Sequence, residues 1–193
     1  MTEKKSLLEI AGKTGVLLVH YPVLNKNGKI VTTAVTNLDI HDISRASKSY
    51  GIHSYQLITP VKLQQELVNK IIGHWKEGWG LKHNPRRAQS FQLTRVVDSF
   101  SSALEKLEQE FGEPPLIVVT SARKELKVKM ISYEKLRALK RPLALVFGTG
   151  WGLAPEILEA ADYILPPIKG PVEYNHLSVR SAVSITLDRF LGF

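Results

Sequence analysis

The sequence predicts a single α/β domain, in which a mostly parallel sheet carries helices on both faces. Short continuous apolar runs, such as TGVLLVHY at residues 14–21 and PLIVVT at 115–120, have the pattern of fully buried strands. Segments with helical spacing or helix-capping residues separate these runs, and such alternation is typical of a parallel sheet. The chain has 193 residues and is 44% hydrophobic, which is enough for one sizeable core.

The first half of the chain contains three of the strands and two helices. The strands are predicted at residues 14–21, 29–36 and 54–59. Before the third strand, Asn37 or Asp39 is expected to cap a helix that Gly51 ends. Pro60 is expected to open the clearest helix. Its apolar stripe at helical spacing consists of Leu63, Leu67, Val68, Ile71, Ile72 and Trp75.

Residues 79–90, WGLKHNPRRAQS, have no periodicity and include Pro85, so we expect an exposed basic loop. Strands and helices then alternate again. Strands are predicted at residues 91–97, 115–120, 142–147 and 163–165, and helices at 99–111, 132–139, from 155 onward and at 178–190. Ser102 and Glu105 have the spacing of a capping box, and Gly112 is expected to end its helix.

The composition narrows the functional classes. The formal net charge of +8 favours an anionic partner, with nucleic acid as the first candidate. The absence of cysteine excludes disulfides, a thiol nucleophile and thiolate metal sites, and fits a cytoplasmic location. The histidines lack metal-ligand spacing, so no metal is expected. Residues 1–22 mix charges into their apolar run, unlike a signal peptide or a membrane span.

The most informative motif is FGTGWGL, in which Gly148, Gly150 and Gly152 follow a buried strand and precede a helix. Such a loop lets backbone N–H groups approach a ligand, and it is equally compatible with a tight strand-to-helix turn. The phosphate-binding Walker pattern is excluded because no Lys-Ser or Lys-Thr closes the loop. The dinucleotide fingerprint is excluded because its third glycine is misplaced.

Three loops should line one edge of the sheet, because ligands of open parallel sheets bind outside the carboxyl ends of the strands. These loops are residues 120–123, 147–153 and 165–170. The segments FGTGWGLAPEI, LPPIKG and NHLSVRSAVSI, in this order, resemble the cofactor loops of the SPOUT superfamily of S-adenosylmethionine-dependent RNA methyltransferases. The TrmH-like (SpoU) branch is the most similar.

Further motifs extend the resemblance over most of the chain. DIHDISRASKSYGI resembles the first motif of the SpoU branch, with Arg45 at its arginine position. The segments VHYPVLNKNG, TNLDIHDISR, FGTGWGL and YNHLSVRSA resemble signatures of a small stand-alone bacterial group within the superfamily. The resemblance implies one methyltransferase domain over residues 1–193, with a C-terminal deep trefoil knot that binds the cofactor over about residues 115–193. It also implies a homodimer.

The resemblance assigns S-adenosylmethionine to the three loops, held largely through backbone groups. The implied cofactor-binding residues are Thr120, Ser121, Phe147, Gly148, Gly150, Leu165, Ile168, His176, Leu177 and Ser178. Arg45 would lie against a ribose 2′-hydroxyl and stabilise its developing negative charge, since arginine is a poor proton acceptor. Asp39 is expected either to act at the helix start or to serve as a base toward a nucleobase.

The function expected from these features is methylation of tRNA or rRNA, with the ribose 2′-oxygen favoured over a base nitrogen. A glutamate of the SpoU glycine loop has no counterpart here, and Asp39 and His176 stand where that branch has asparagines, so base methylation stays open. A catalytically silent RNA-binding module is the alternative from another class. The cations expected to contact RNA are Lys82, Arg86, Arg87, Arg123 and Arg180.

Overall fold

The computed structural model describes residues 3–121 and 128–192. Within them the helices are α1 Glu3–Gly12, α2 Asn37–Ser49, α3 Lys62–Lys76, α4 Trp79–His83, α5 Pro85–Phe91, α6 Phe100–Phe111, α7 Tyr133–Ala138, α8 Pro155–Glu159 and α9 Val179–Leu191. The strands are β1 Thr14–Val19, β2 Val23–Leu24, β3 Ile30–Val31, β4 Ser54–Ile58, β5 Thr94–Val97, β6 Leu116–Val119, β7 Leu143–Gly148 and β8 Tyr163–Ile164. The expected alternation of strands and helices is confirmed.

Among the described residues, six strands form the main sheet, in the order β5-β4-β1-β7-β6-β8. Each neighbouring pair in this sheet is parallel. The short strands β2 and β3 form a separate antiparallel pair. Because parallel strands end on the same side, the segments that follow β1, β6, β7 and β8 meet at one carboxyl edge. The predicted mostly parallel sheet is confirmed.

The two faces of the sheet have separate hydrophobic cores. On one face Leu18 of β1 lies in a cluster with Ile43 of α2 and Leu187 of α9. On the other face Leu17 lies in a cluster with Leu107 of α6. Neighbouring residues of a strand point to opposite faces, so a strand buried on both faces is apolar throughout. Helices therefore cover both faces, as the sequence predicts.

The start of α2 differs from the expectation, because Thr36 caps it rather than Asn37 or Asp39. The Thr36 hydroxyl accepts a hydrogen bond from the Asp39 backbone N at 3.1 Å and donates one to Asp39 Oδ2 at 2.6 Å. Asp39 is thus bonded to the capping hydroxyl through both its backbone N–H and its carboxylate. Gly51 follows the end of α2 with φ +73°, so its predicted role is confirmed.

Two other helix starts were expected at the wrong residue. Ser99 caps α6 by accepting from the Ser102 backbone N at 3.1 Å, so the capping box predicted for Ser102 and Glu105 is wrong. The helix expected from Pro60 begins at Lys62, the start of α3. Gly112 ends α6 with φ +76°, as expected.

The basic loop expected at residues 79–90 is wrong, since these residues form most of α4 and α5. Gly80 lets α4 approach α3, because a Cβ there would lie 2.8 Å from Trp75 Cε3. Pro85 lies in the first turn of α5 rather than breaking a segment, and the Asn84 side chain caps that turn by accepting from the Arg87 backbone N at 3.0 Å. Contacts between helices, rather than periodicity, stabilise these short elements.

Two more segments differ from the sequence-based expectation. Residues 3–12 form α1, which buries only Leu7 and Ala11, too narrow a stripe to stand out in the sequence. The strand expected at residues 29–36 is reduced to β3, Ile30–Val31.

Candidate functional site

The glycine loop, residues 148–153, leaves the carboxyl end of β7 and is hydrogen-bonded to Leu24 of β2. The Trp151 backbone N donates to Leu24 O, and the Leu24 backbone N donates to Gly152 O, both at 2.9 Å. Gly150 has φ +59°, and a Cβ at this position would lie 3.0 Å from Leu24 O. The packing of the chain itself therefore requires glycine at position 150.

A chain of side-chain hydrogen bonds lies beside this loop. Thr149 Oγ1 donates to Val19 O at 2.9 Å, and Thr33 Oγ1 lies 2.5 Å from Thr149 Oγ1. His20 Nδ1 lies 3.0 Å from Thr33 Oγ1. The Thr33 hydroxyl also donates to His20 O at 3.4 Å, so these four groups form one hydrogen-bonded series. These hydrogen bonds connect the end of β1 to the glycine loop.

His20 is fully buried, and burial lowers its pKa to about 4 although Asp39 acts in the opposite direction. Its Nε2 atom has no hydrogen-bond partner among the described residues. The imidazole is therefore neutral at pH 7. In the sequence, His20 is marked only by its position near the end of the predicted strand 14–21, and nothing marks Thr33.

The predicted cofactor residues at the strand ends lie on the carboxyl edge. The Thr120 backbone N donates to Val146 O at 3.1 Å, and the Leu165 backbone N donates to Val119 O at 3.0 Å. These bonds bring Thr120, Leu165 and the end of β7 side by side. Phe147 and Leu165 are each 1% exposed and belong to the core, so neither presents a side chain to the edge.

The remaining predicted cofactor residues have different environments. Ser121 and Ile168 are half-buried, whereas His176, Leu177 and Ser178 are exposed in the segment before α9. Ser178 caps α9, its side chain accepting from the Ser181 backbone N at 3.3 Å. Glycines 148 and 150 lie in the glycine loop described above.

A groove of about 700 Å³ runs between α2 and α9. Arg45 of α2 and Ser178 at the start of α9 both line it. Arg45 is exposed and forms no ion pair with residues 3–121 or 128–192. The structure therefore brings the predicted catalytic arginine to the last predicted cofactor segment.

Arg180, which also lines the groove, is bound to two carboxylates of α2. Its Nη1 lies 3.3 Å from Asp39 Oδ1, and its Nε lies 3.3 Å from Asp42 Oδ2. Asp39 is 5% exposed and also accepts from the Thr36 hydroxyl. Both predicted roles, Asp39 as a base and Arg180 as an RNA contact, would compete with this ion pair.

The other cations predicted to contact RNA lie in α4 and α5, with one exception. Lys82 and Arg86 are exposed, and the Arg87 guanidinium carbon lies 5.2 Å from the centroid of the Trp75 ring. Arg123 lies outside the described residues.

The described helices include none that is both long and apolar enough to cross a membrane. In the same part of the chain, no three histidine, aspartate or glutamate side chains come together as metal ligands would.

A parallel sheet with a glycine loop at the carboxyl ends of its strands has the form of the α/β proteins that bind a small cofactor there. The chain belongs to the family of S-adenosylmethionine-dependent RNA methyltransferases, whose model matches residues 13–192. This family and its cofactor are the ones predicted from the sequence.

Two curated relatives differ in how much of their length the chain matches. It is 44% identical over 177 residues to a tRNA (guanine-N(1)-)-methyltransferase of Oleidesulfovibrio alaskensis, covering 91% of this chain and 41% of that protein. It is 39% identical over 179 residues to an uncharacterized protein of Aquifex aeolicus, covering 92% of this chain and 87% of that protein. The chain thus spans less than half of the first relative and most of the second.

Among solved structures, the SpoU methyltransferase AviRb from Streptomyces viridochromogenes, in complex with AdoMet, has a TM-score of 0.55 and 16% identity. The likeness covers 92% of this chain and 56% of that chain. It confirms that the α/β fold is the one predicted from the SpoU-like motifs.

Proposed function

We propose that the chain transfers a methyl group from S-adenosylmethionine to a tRNA, with a ribose 2′-hydroxyl favoured as the acceptor. The observation that carries this proposal is the position of Arg45, exposed and without an ion pair among the described residues, in the same groove as Ser178. A free guanidinium beside the predicted cofactor segment suits a reaction in which negative charge develops on an oxygen.

The cofactor would be held at the carboxyl edge of the sheet by the predicted loop residues. Gly148 and Thr120 lie half-buried at this edge, and neutral groups of this kind suit an adenosine moiety. The cofactor supplies an activated methyl group, so the protein must orient the acceptor and manage one proton.

Arg45 is proposed to stabilise the acceptor. As the 2′-oxygen bonded to the methyl carbon, the carbon–sulfur bond would break with its electron pair left on sulfur, and the hydroxyl proton would pass to solvent water. A guanidinium already carries its full set of protons and cannot take another, but it can stabilise the charge on the oxygen before the proton has left. Arg180 is less suited to this role because Asp39 and Asp42 already engage it.

Methylation of a base nitrogen is the competing acceptor chemistry, with Asp39 as the base. The guanine-N1 name of the O. alaskensis relative supports it only weakly, since the matched segment is 41% of that protein. Asp39 is nearly buried, and its two oxygens are occupied by Thr36 and Arg180. These contacts favour the ribose acceptor.

Four expectations from the resemblance complete the proposal. Residues 1–193 would form a single methyltransferase domain, with the cofactor-binding part at about 115–193. That part would be knotted as a deep trefoil, and two copies of the chain would form a homodimer. The protein would act in the cytoplasm, where tRNA and the cofactor are both present.

Calorimetric titration with S-adenosylmethionine tests the cofactor site. Leu177 is 47% exposed and Val172 is 68% exposed, so neither should be needed for folding, and both lie in the segment before α9. Leu177→Asp should abolish the binding heat, whereas the matched control Val172→Asp should retain it. No heat with the wild-type protein would contradict the proposal.

Incubation with tRNA from a strain that lacks the protein, followed by nucleoside mass spectrometry, identifies the acceptor. We expect a 2′-O-methylated nucleoside. A methylated base would contradict the ribose assignment, and cofactor binding without transfer to any RNA would favour the silent RNA-binding module.

A further inference from the structure

Trp79 of α4 is the most exposed aromatic side chain of a basic surface, which we call the α4–α5 platform and which consists of Trp79, Lys82, His83, Arg86 and Arg87. The Trp79 side chain is 63% exposed. The His83 ring stacks against it with a centroid distance of 4.3 Å and an interplanar angle of 15°. A large indole kept in solvent while stacked on a second ring has the form of a surface that binds another flat ring.

The platform is packed firmly on α3. Gly80 is buried against Trp75 and His74, and a Cβ there would lie 2.8 Å from Trp75 Cε3. Trp75 stacks on Phe91 of α5 at 5.6 Å and 12°, and the Arg87 guanidinium lies over its ring. Because α4 and α5 are held in this way, Trp79 is oriented before any partner binds, which lowers the entropic cost of binding.

The charges that follow Trp79 along the chain are of one sign as far as Arg95. No acidic residue occurs between Glu77 and Asp98. Lys82 and Arg86 are exposed and form no ion pair within the described part of the chain. An exposed aromatic ring flanked by free cations is the combination that binds single-stranded nucleic acid, the ring stacking on a base and the cations meeting phosphates.

The platform is continuous with the helix that carries Arg45. Helix α5 packs against α2. The His41 ring of α2 contacts the rings of Trp75 and Phe91, with centroid distances of 5.4 and 4.9 Å. Burial lowers the pKa of His41, as do the charges of Arg87 and Arg45, while Asp42 raises it. The same residue of α2 therefore lies within the field of a platform cation and of the proposed catalytic arginine.

We infer that Trp79 stacks on an unpaired nucleobase of the RNA substrate while Lys82 and Arg86 contact the flanking phosphates. This inference rests on the proposed function, since it assumes an RNA substrate. The base must be unpaired because the indole needs a face that is not already stacked within a duplex. The platform would hold a single-stranded region of the substrate beside α2.

Fluorescence anisotropy with a labelled oligouridylate, compared with a duplex of equal length, tests the stacking contact. Replacing an aromatic ring that stacks on a base costs about 1–3 kcal/mol, so Trp79→Ala should weaken single-strand binding about 5- to 150-fold. Trp79→Phe should recover most of the affinity because it keeps a ring. The matched control is Leu8→Ala, which removes a side chain 56% exposed on α1 and should change nothing.

The salt dependence of binding tests the phosphate contacts. Each lost phosphate contact should reduce the log–log salt slope for single-stranded RNA by about 0.7. Lys82→Ala and Arg86→Ala should each show this reduction. Lys5→Ala removes the same charge from an exposed position on α1 and should leave the slope unchanged.

The possible results separate this inference from the proposed function. If Trp79→Ala binds the single strand as tightly as the wild-type protein does, the inference is overturned, even if the protein still transfers methyl groups. Equal weakening of single-strand and duplex binding would also overturn it, because a duplex offers no free base. A stacking effect of Trp79 in a protein that neither binds S-adenosylmethionine nor methylates RNA would support the inference and contradict the proposed function.

Discussion

Arg180 Nη1 lies 3.3 Å from Asp39 Oδ1 and joins the first turn of α9 to the first turn of α2. The two residues are 141 positions apart in the chain. Arg45 and Ser178, the residues that connect the proposed chemistry to the predicted cofactor segment, belong to these same two helices. The ion pair therefore helps to set the width of the groove in which both lie.

Arg180→Met should lower the free energy of unfolding by about 1–3 kcal/mol, because Asp39 would lose a hydrogen-bonded cation while remaining nearly buried. Urea unfolding monitored by circular dichroism measures the change. The double variant Asp39→Asn with Arg180→Met should cost less than the sum of the single variants.

Arg189→Met serves as the control, since Arg189 is exposed on the same helix and its side chain has no ion pair with the described residues. It should stay within about 0.5 kcal/mol of the wild type. Additive effects of the Asp39 and Arg180 substitutions would contradict the coupling between α2 and α9.

Gly150→Ala should destabilise the protein by more than about 1 kcal/mol, since alanine at φ +59° is strained and its Cβ would press on Leu24 O. Gly28→Ala is the control that isolates the backbone cost, because Gly28 has φ +72° with no atom near its Cβ position. In thermal unfolding, the melting temperature of Gly150→Ala should be lower than that of Gly28→Ala. Equal melting temperatures would show that the contact with Leu24 is unimportant.

The stability of the protein should fall on acidification because of His20. Its pKa is about 4 in the folded protein against 6.5 for the free side chain, so below pH 6.5 protons bind preferentially to the unfolded chain. The contribution of neutral His20 is complete above pH 6.5 and is lost as the pH falls toward 4. As the pH falls from 6.5 to 4, the free energy of unfolding of the wild-type protein should decrease by about 3 kcal/mol more than that of His20→Gln.

Urea unfolding of both proteins at a series of pH values measures that difference. Carboxylates titrate in both proteins, so the difference between them isolates His20. Parallel curves for the wild type and His20→Gln would contradict the assignment of a buried, neutral imidazole beside the glycine loop.

The buried strands could be predicted because a strand covered on both faces leaves a continuous apolar run, as in β1 and β7. The start of α2 could not, since Thr36, Asn37 and Asp39 all carry oxygens able to cap, and only the geometry selects Thr36. Helices α4 and α5 were missed because the fit of Gly80 against Trp75 is a tertiary contact.

In the candidate site, too, features within one contiguous motif could be predicted, whereas contacts between distant residues could not. The glycine loop and Arg45 lie in contiguous motifs, so both could be found in the sequence. The hydrogen bond between Thr33 and Thr149 joins residues 116 positions apart, so no local sequence pattern predicts it. The exposure of Trp79 was equally hidden, because it depends on how α4 packs against α3.

The role of Arg45 is tested by the rate of a single turnover at saturating S-adenosylmethionine. Arg45→Ala should slow methyl transfer about 10²- to 10³-fold, the usual cost of removing one donor from a site where negative charge develops. Lys48→Ala removes an exposed cation from the same helix and should leave the rate unchanged. Both variants should retain the calorimetric heat of cofactor binding.

Transfer of labelled methyl groups from S-adenosylmethionine to tRNA from a strain lacking the protein tests the central claim most directly. We expect the wild-type protein to label the tRNA and Arg45→Ala to lose that activity while still binding the cofactor. No label in RNA with the wild-type protein, or full labelling by Arg45→Ala, would contradict the account.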